Sequence, residues 1–191
     1  MAKQGTSDRW MWAVVLGATA AVVALAIIQG GRAEKSAQAA SELVSKAAIT
    51  LSLPLLDGRG KAGIVPGKIT VVDFWATWCA PCRASMPRVQ KVYDDYRARG
   101  VELYSVDTVE GSAADRESMV REFLLKNRLT FPVVLDDDSA SVAFSVESLP
   151  TMVVLDRSGR VLWRHIGELD ASEERSLRGV LDKALSATAQ D

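Results

Sequence analysis

The chain has 191 residues, of which 25 % are charged and 48 % hydrophobic, and its formal net charge at neutral pH is −1. That length suits one ordinary domain plus an appendage, and the near balance of charge excludes a nucleic-acid surface built on a basic excess. Two cysteines and one histidine leave too few soft ligands for a four-coordinate zinc centre.

Residues 1–9 form a short tail. Residues 10–28, from Trp10 to Ile28, contain no charged residue and are rich in Ala, Val, Leu and Ile. At 1.5 Å per residue they reach roughly 30 Å, the thickness of a bilayer core, with Trp10 and Trp12 at the leading edge where aromatic rings suit an interface. The run is long for a cleaved signal, and the small-x-small triplet Ala37-Gln38-Ala39 lies well past its end, so a retained single-pass anchor is expected. Lys3 and Arg9 before it and Arg32, Lys35 and Lys46 after it give no clear orientation. Residues 29–47 are small and polar and read as a tether, leaving 48–191 as the folded domain.

Within that domain Ile49 to Leu56, interrupted by Pro54, reads as an edge strand or extended segment closed by Asp57-Gly58. Ile69 to Trp75 is a buried strand, Pro81 to Arg99 a helix ended by Gly100, and Val101 to Val106 a second strand parallel to the first. Met119, Val120, Phe123 and Leu124 space a helix over Ala113 to Lys126. A short strand follows at Phe131 to Leu135 and a brief helix at Asp138 to Phe144. Thr151 to Leu155 and Val161 to Ile166 flank a glycine turn as a hairpin. Ser172 is read as the N-cap of a closing helix to Leu185, with Glu173 and Glu174 in its first turn. The expectation is an α/β fold, βαβ followed by ββα around a mixed sheet with an αβ insertion between the halves.

Both cysteines fall in Cys79-Ala80-Pro81-Cys82, directly behind the strand. At a helix start, unpaired backbone amides and the helix dipole favour thiolate on Cys79, while Cys82, one turn deeper, is placed to attack a mixed disulfide on its neighbour. A purely structural disulfide here would close a tiny loop and stabilise little. Ala80 and Pro81 separate the two sulfurs; Pro81 stiffens the loop and removes a donor, and Arg83 adds positive charge, so these three residues would tune the redox couple. Asp73, amid apolar neighbours, must either reach water or be buried with a raised pKa. Trp78 either walls a substrate site beside Cys79 or covers the core. His165, between Trp163 and Ile166 on a hairpin strand, reads as structural rather than catalytic.

The segment Val72-Asp73-Phe74-Trp75-Ala76-Thr77-Trp78-Cys79-Ala80-Pro81-Cys82-Arg83, with Pro87 in the helix and Leu149-Pro150-Thr151 further on, resembles the thioredoxin superfamily, and within it the membrane-anchored TlpA/ResA-like thiol-disulfide oxidoreductases. The resemblance covers about Ala48 to Ala187. It implies a thioredoxin-like fold, Cys79 and Cys82 as the catalytic pair, and Asp73 as the buried acid behind the second cysteine. It also makes Leu149-Pro150 a cis peptide whose loop faces the cysteines and offers the Leu149 backbone to an extended substrate. No cofactor is implied beyond the redox-active Cys79–Cys82 disulfide. The implied setting is a bacterial inner membrane, with the domain facing the periplasm or exterior. There it would reduce disulfides of exported proteins, for example before haem or copper insertion, and be recharged by a thiol protein acting as membrane electron donor.

Two departures weaken a closer assignment: Ser85 stands where many such relatives have Glu, and Ser148-Leu149-Pro150-Thr151 lacks the Gly-x-Pro-Glu of haem-pathway specialists. A disulfide-donating oxidase, a thiol peroxidase and a copper-delivery module remain alternatives. The peroxidase spacing is one residue short at Thr77-Trp78-Cys79, and a copper site lacks a nearby third ligand.

Overall fold

A computed structural model describes residues 52–63, 67–108 and 113–187. The expected tail (1–9), membrane anchor (10–28) and linker (29–47) lie outside the described residues, as does the start of the first expected strand. Among the described residues no helix is long and apolar enough to cross a membrane.

The elements in chain order are β1 (Ser52–Pro54), β2 (Lys61–Gly63), β3 (Ile69–Trp75), α1 (Ala80–Tyr96) with a 3-10 turn (Arg97–Arg99), β4 (Val101–Asp107), α2 (Ala113–Asn127), β5 (Val133–Leu135), α3 (Ser139–Ala143), β6 (Thr151–Leu155), β7 (Val161–Ile166) and α4 (Ala171–Ser186). Strands β3 to β7 form one sheet in the order β5-β4-β3-β6-β7. Strand β3 at its centre runs parallel to β4 and antiparallel to β6. All seven β3 residues are buried, which is why that stretch carries the unbroken apolar run of a strand covered on both faces.

Side-chain alternation divides the core in two. Ile69, Val71 and Trp75 point toward the face covered by α1, α2 and α4, where they pack with Cys82, Met86, Val89, Val120, Leu177 and Leu181. Val72 and Phe74 point the other way, against Phe144, Ala140 and the hairpin residues Leu53 and Ala62. Phe74 and Trp75 are fully buried, each worth roughly 1.5–3 kcal/mol relative to exposure.

Several boundaries differ from the sequence reading. The first strand is only three residues long where described and pairs with β2, a strand the sequence does not signal because Lys61-Ala62-Gly63 has no apolar alternation to show. Its continuation covers the outer edge of the sheet, with Leu56 N–H donating to the Val133 carbonyl at 2.7 Å. Strand β5 starts at Val133 rather than Phe131. Helix α4 is capped by Asp170, not Ser172: the Asp170 carboxylate accepts from the amides of Ser172 (2.7 Å) and Glu173 (2.9 Å). The Asp170 carboxylate thus takes the accepting role expected of the Ser172 hydroxyl and satisfies two of the first-turn amides that have no intrahelical partner. Helix α1 ends at Tyr96, and Gly100 closes the following turn at φ +92°.

Candidate active site

The β3 strand ends at Trp75, whose carbonyl accepts from Thr108 N–H at 2.8 Å. A single turn follows, closed by Cys79 N–H to the Ala76 carbonyl at 3.1 Å, and it delivers Cys79 to the N-cap of α1. There the Cys79 carbonyl accepts the first helical bond from Arg83 (3.0 Å) and its Sγ accepts from Cys82 N–H at 3.3 Å. Pro81 sits in the first helical turn, where its missing N–H would have no intrahelical partner in any case. The sulfurs are joined in a disulfide of 1.97 Å. Both cysteines are buried, Cys79 at 4 % exposure and Cys82 at 0 %. The amide that meets Cys79 Sγ, together with the positive end of the helix dipole, favours thiolate on this atom once the bond is reduced.

Asp73 is buried, so the solvent-facing alternative does not hold. It lies in register with Ser105 on β4 and Met152 on β6, on the face toward α1 that also carries Cys82. Burial pushes its carboxyl up to about 7, opposed only by the Ser105 hydroxyl, which donates to Oδ2 at 3.4 Å. A carboxyl with that value can hold or accept a proton near neutral pH.

Strand β6 is antiparallel to β3, so its N-terminal end meets the C-terminal end of β3. This brings the loop before β6 against the cysteines. The Leu149–Pro150 peptide is cis. A groove of about 400 Å³ lies between Trp78, Cys79, Ala80 and Pro81 on one side and Val146, Glu147, Ser148 and Leu149 on the other, with Thr108 and Ser141 completing it. Trp78 is 60 % exposed, so it walls the groove rather than covering the core. Arg83 is exposed on α1 and is not among the groove residues.

Ser85, singled out as a departure, is buried and accepts from Leu169 N–H at 2.8 Å while donating to the Pro81 carbonyl at 3.0 Å. It ties the cysteine helix to the loop before α4. His165 stacks on Trp163 (centroids 5.6 Å apart), approaches the Glu168 carbonyl at 3.1 Å, and lies 3.3 Å from Glu173. It is not among the groove residues. The sequence reading missed Thr108, Ser141, Val146, Glu147 and Ser148. Glu147 and Ser148 were within reach, since they immediately precede Leu149-Pro150; Thr108 and Ser141 carry no signal of their own.

A family model described as Redoxin matches residues 59–181, well over half of the chain. The chain belongs to the Redoxin family. Among its relatives, a thiol-disulfide oxidoreductase ResA of Bacillus cereus is 35 % identical over 118 residues, covering 61 % of this redoxin and 64 % of ResA. The sporulation thiol-disulfide oxidoreductase A of Bacillus subtilis (strain 168) is 31 % identical over 108 residues, 56 % of this chain and 64 % of that one. The alignments therefore span just under two thirds of these relatives' lengths. The crystal structure of StoA from Bacillus subtilis superposes with a TM-score of 0.59 at 26 % identity, covering 68 % of this redoxin and 94 % of StoA. The expected α/β thioredoxin-like fold with a mixed central sheet is the fold found.

Proposed function

We propose that this redoxin is a thiol-disulfide oxidoreductase working as a protein-disulfide reductase, tethered by residues 10–28 to the bacterial inner membrane with its domain outside the cytoplasm. The observation that carries the reading is the Cys79–Cys82 disulfide at the N-terminus of α1, opening on a groove and backed by a buried carboxyl of raised pKa. The names of the relatives ResA and sporulation thiol-disulfide oxidoreductase A support it.

In the reduced protein the Cys79 thiolate attacks a substrate disulfide, forming a mixed disulfide and expelling one substrate thiolate. Cys82 then gives up its proton, with Asp73 as acceptor, and its thiolate attacks Cys79 Sγ. The second substrate thiol leaves, and Cys79–Cys82 is oxidised by two electrons that have passed to the substrate. A thiol protein serving as membrane electron donor reverses the oxidation. Exported proteins whose cysteines must be free before metal or haem insertion are the substrate class that fits this setting, and Trp78, Leu149 and Pro150 would receive the chain. Ala80, Pro81 and Arg83 would set the potential.

The test is a trapping experiment with Cys82→Ser in the full-length protein. It is expected to accumulate mixed disulfides at Cys79 that dithiothreitol releases, while the wild type reduces insulin catalytically. Insulin left intact by the wild type, or trapping that persists in Cys79→Ser/Cys82→Ser, overturns the reading. A measured potential near strongly oxidising dithiols would instead favour a disulfide donor.

A further inference from the structure

Glu147 is exposed and is the one charged residue among the described residues that line the groove beside the disulfide. Trp78, Val146 and Leu149 give that groove an apolar surface, and Ser141 and Ser148 add small hydroxyls. The side of the groove opposite the cysteines carries a local acidic excess. Residues 136–149 contain Asp136, Asp137, Asp138 and Glu147 and no Lys, Arg or His, and the cation packed behind them, Arg116 of α2, is committed to the Asp107 carboxylate (2.7 Å) and the Asp136 carbonyl (2.6 Å). Asp136 is buried and spends its carboxylate on the Ala140 and Ser141 amides, each at 2.9 Å. Asp137 and Asp138 are exposed at the start of α3, just ahead of the groove residue Ser141. Arg164 of β7 lies close enough to interact electrostatically with Glu147. It is half-buried, is not among the groove residues, and is committed to the Phe144 and Ser145 carbonyls at 2.7 and 2.8 Å. The groove thus offers apolar contact and a carboxylate to whatever approaches Cys79.

We propose that the groove selects disulfides whose cysteine is flanked by a lysine or arginine and an apolar residue, with Glu147 reading the cation. The proposal rests on the exchange reading above. A cationic segment would gain both a faster encounter with the acidic wall and a local ion pair at Glu147, while an acidic segment would lose both. The chemistry is unchanged: one peptide disulfide bond breaks, the transient Cys79–peptide bond is replaced by Cys79–Cys82, and two peptide thiols are released.

The experiment uses the reduced full-length protein and three end-blocked hexapeptides, each supplied as its own homodisulfide and differing only in Lys, Gln or Glu two positions before the single cysteine. Thiol release is followed at low and at high salt. The lysine peptide is expected to react about tenfold faster than the glutamate peptide at low salt, with glutamine between, and the ratio to shrink at high salt. Glu147→Gln should collapse the ratio several-fold and Glu147→Lys should invert the order. Because each variant is judged on its own Lys-to-Glu ratio, a change in overall activity does not obscure the result. Equal rates for the three peptides in the wild type, or a ratio unmoved by both variants, overturns the charge preference while leaving the exchange reading standing. Failure to reduce any peptide overturns both.

Discussion

A carboxyl inside a central strand is costly, and Asp73 shows where the cost falls. With its pKa pushed up to about 7 in the folded chain against 3.8 when unfolded, the sign of the pH dependence is fixed. Well below pH 3.8 both states hold the proton, and ionisation of Asp73 takes nothing from stability. Between 4 and 7 the unfolded chain ionises first, so stability falls as pH rises, and the loss is complete above 7, at roughly 4 kcal/mol. Asp73→Asn removes this titration. In the oxidised protein, the stability difference between the Asp73→Asn variant and wild type should therefore shift toward the variant by a few kcal/mol between pH 4 and pH 8, measured by urea unfolding. A difference independent of pH would mean that Asp73 is not held protonated. The same substitution should slow resolution of a mixed disulfide by Cys82, because the acceptor for its proton is gone. A residue that weakens the fold at working pH is thus consistent with a chemical task.

At the scale of elements, the cysteine helix is held by its buried apolar face and, near its start, by a few polar contacts that can each be removed. Pro87 inside α1 cannot donate to the Arg83 carbonyl, so the first turns depend on outside support. Ser85 provides it by accepting the Leu169 amide, and Arg88 adds an ion pair to Glu174 of α4 at 2.8 Å. Ser85→Ala leaves the buried Leu169 N–H unpaired and is expected to cost about 1–3 kcal/mol, read as a lower urea midpoint with unchanged m. An unchanged midpoint would show that water takes over the amide. These elements were legible in the sequence to different degrees for physical reasons. The β3–α1–β4 unit and strand β6 announce themselves because each buries a continuous face, which forces an unbroken pattern, and the Asp156–Gly159 turn then marks the half-exposed β7 that follows. Strand β2 does not, since three residues with one buried side chain leave no period to detect. The α4 cap was misplaced by two residues because Asp170 and Ser172 are both good capping types, and only the amides they reach decide between them.

For the whole molecule, the cysteine side of the site could be read from one tetrad, but the opposing side could not. Thr108, Ser141 and Glu147 reach the cysteines only because the sheet order sets β4 and β6 on either side of β3 and runs β6 backwards. Local pattern carries no record of that pairing. The converse holds for residues 10–28, where sequence alone carries the argument: nineteen uncharged residues at 1.5 Å each match a bilayer core, and every polar backbone group in such a helix is satisfied internally. If this segment is a retained anchor and the domain lies outside the cytoplasm, the full-length protein should stay in the membrane pellet through an alkaline carbonate wash, whereas a chain lacking residues 1–47 is released in soluble form. After reduction, Cys79 should react with a membrane-impermeant maleimide added to intact spheroplasts. Labelling only after lysis would place the domain on the cytoplasmic side, where the glutathione and thioredoxin pools already keep thiols reduced and a dedicated membrane electron donor would have nothing to supply.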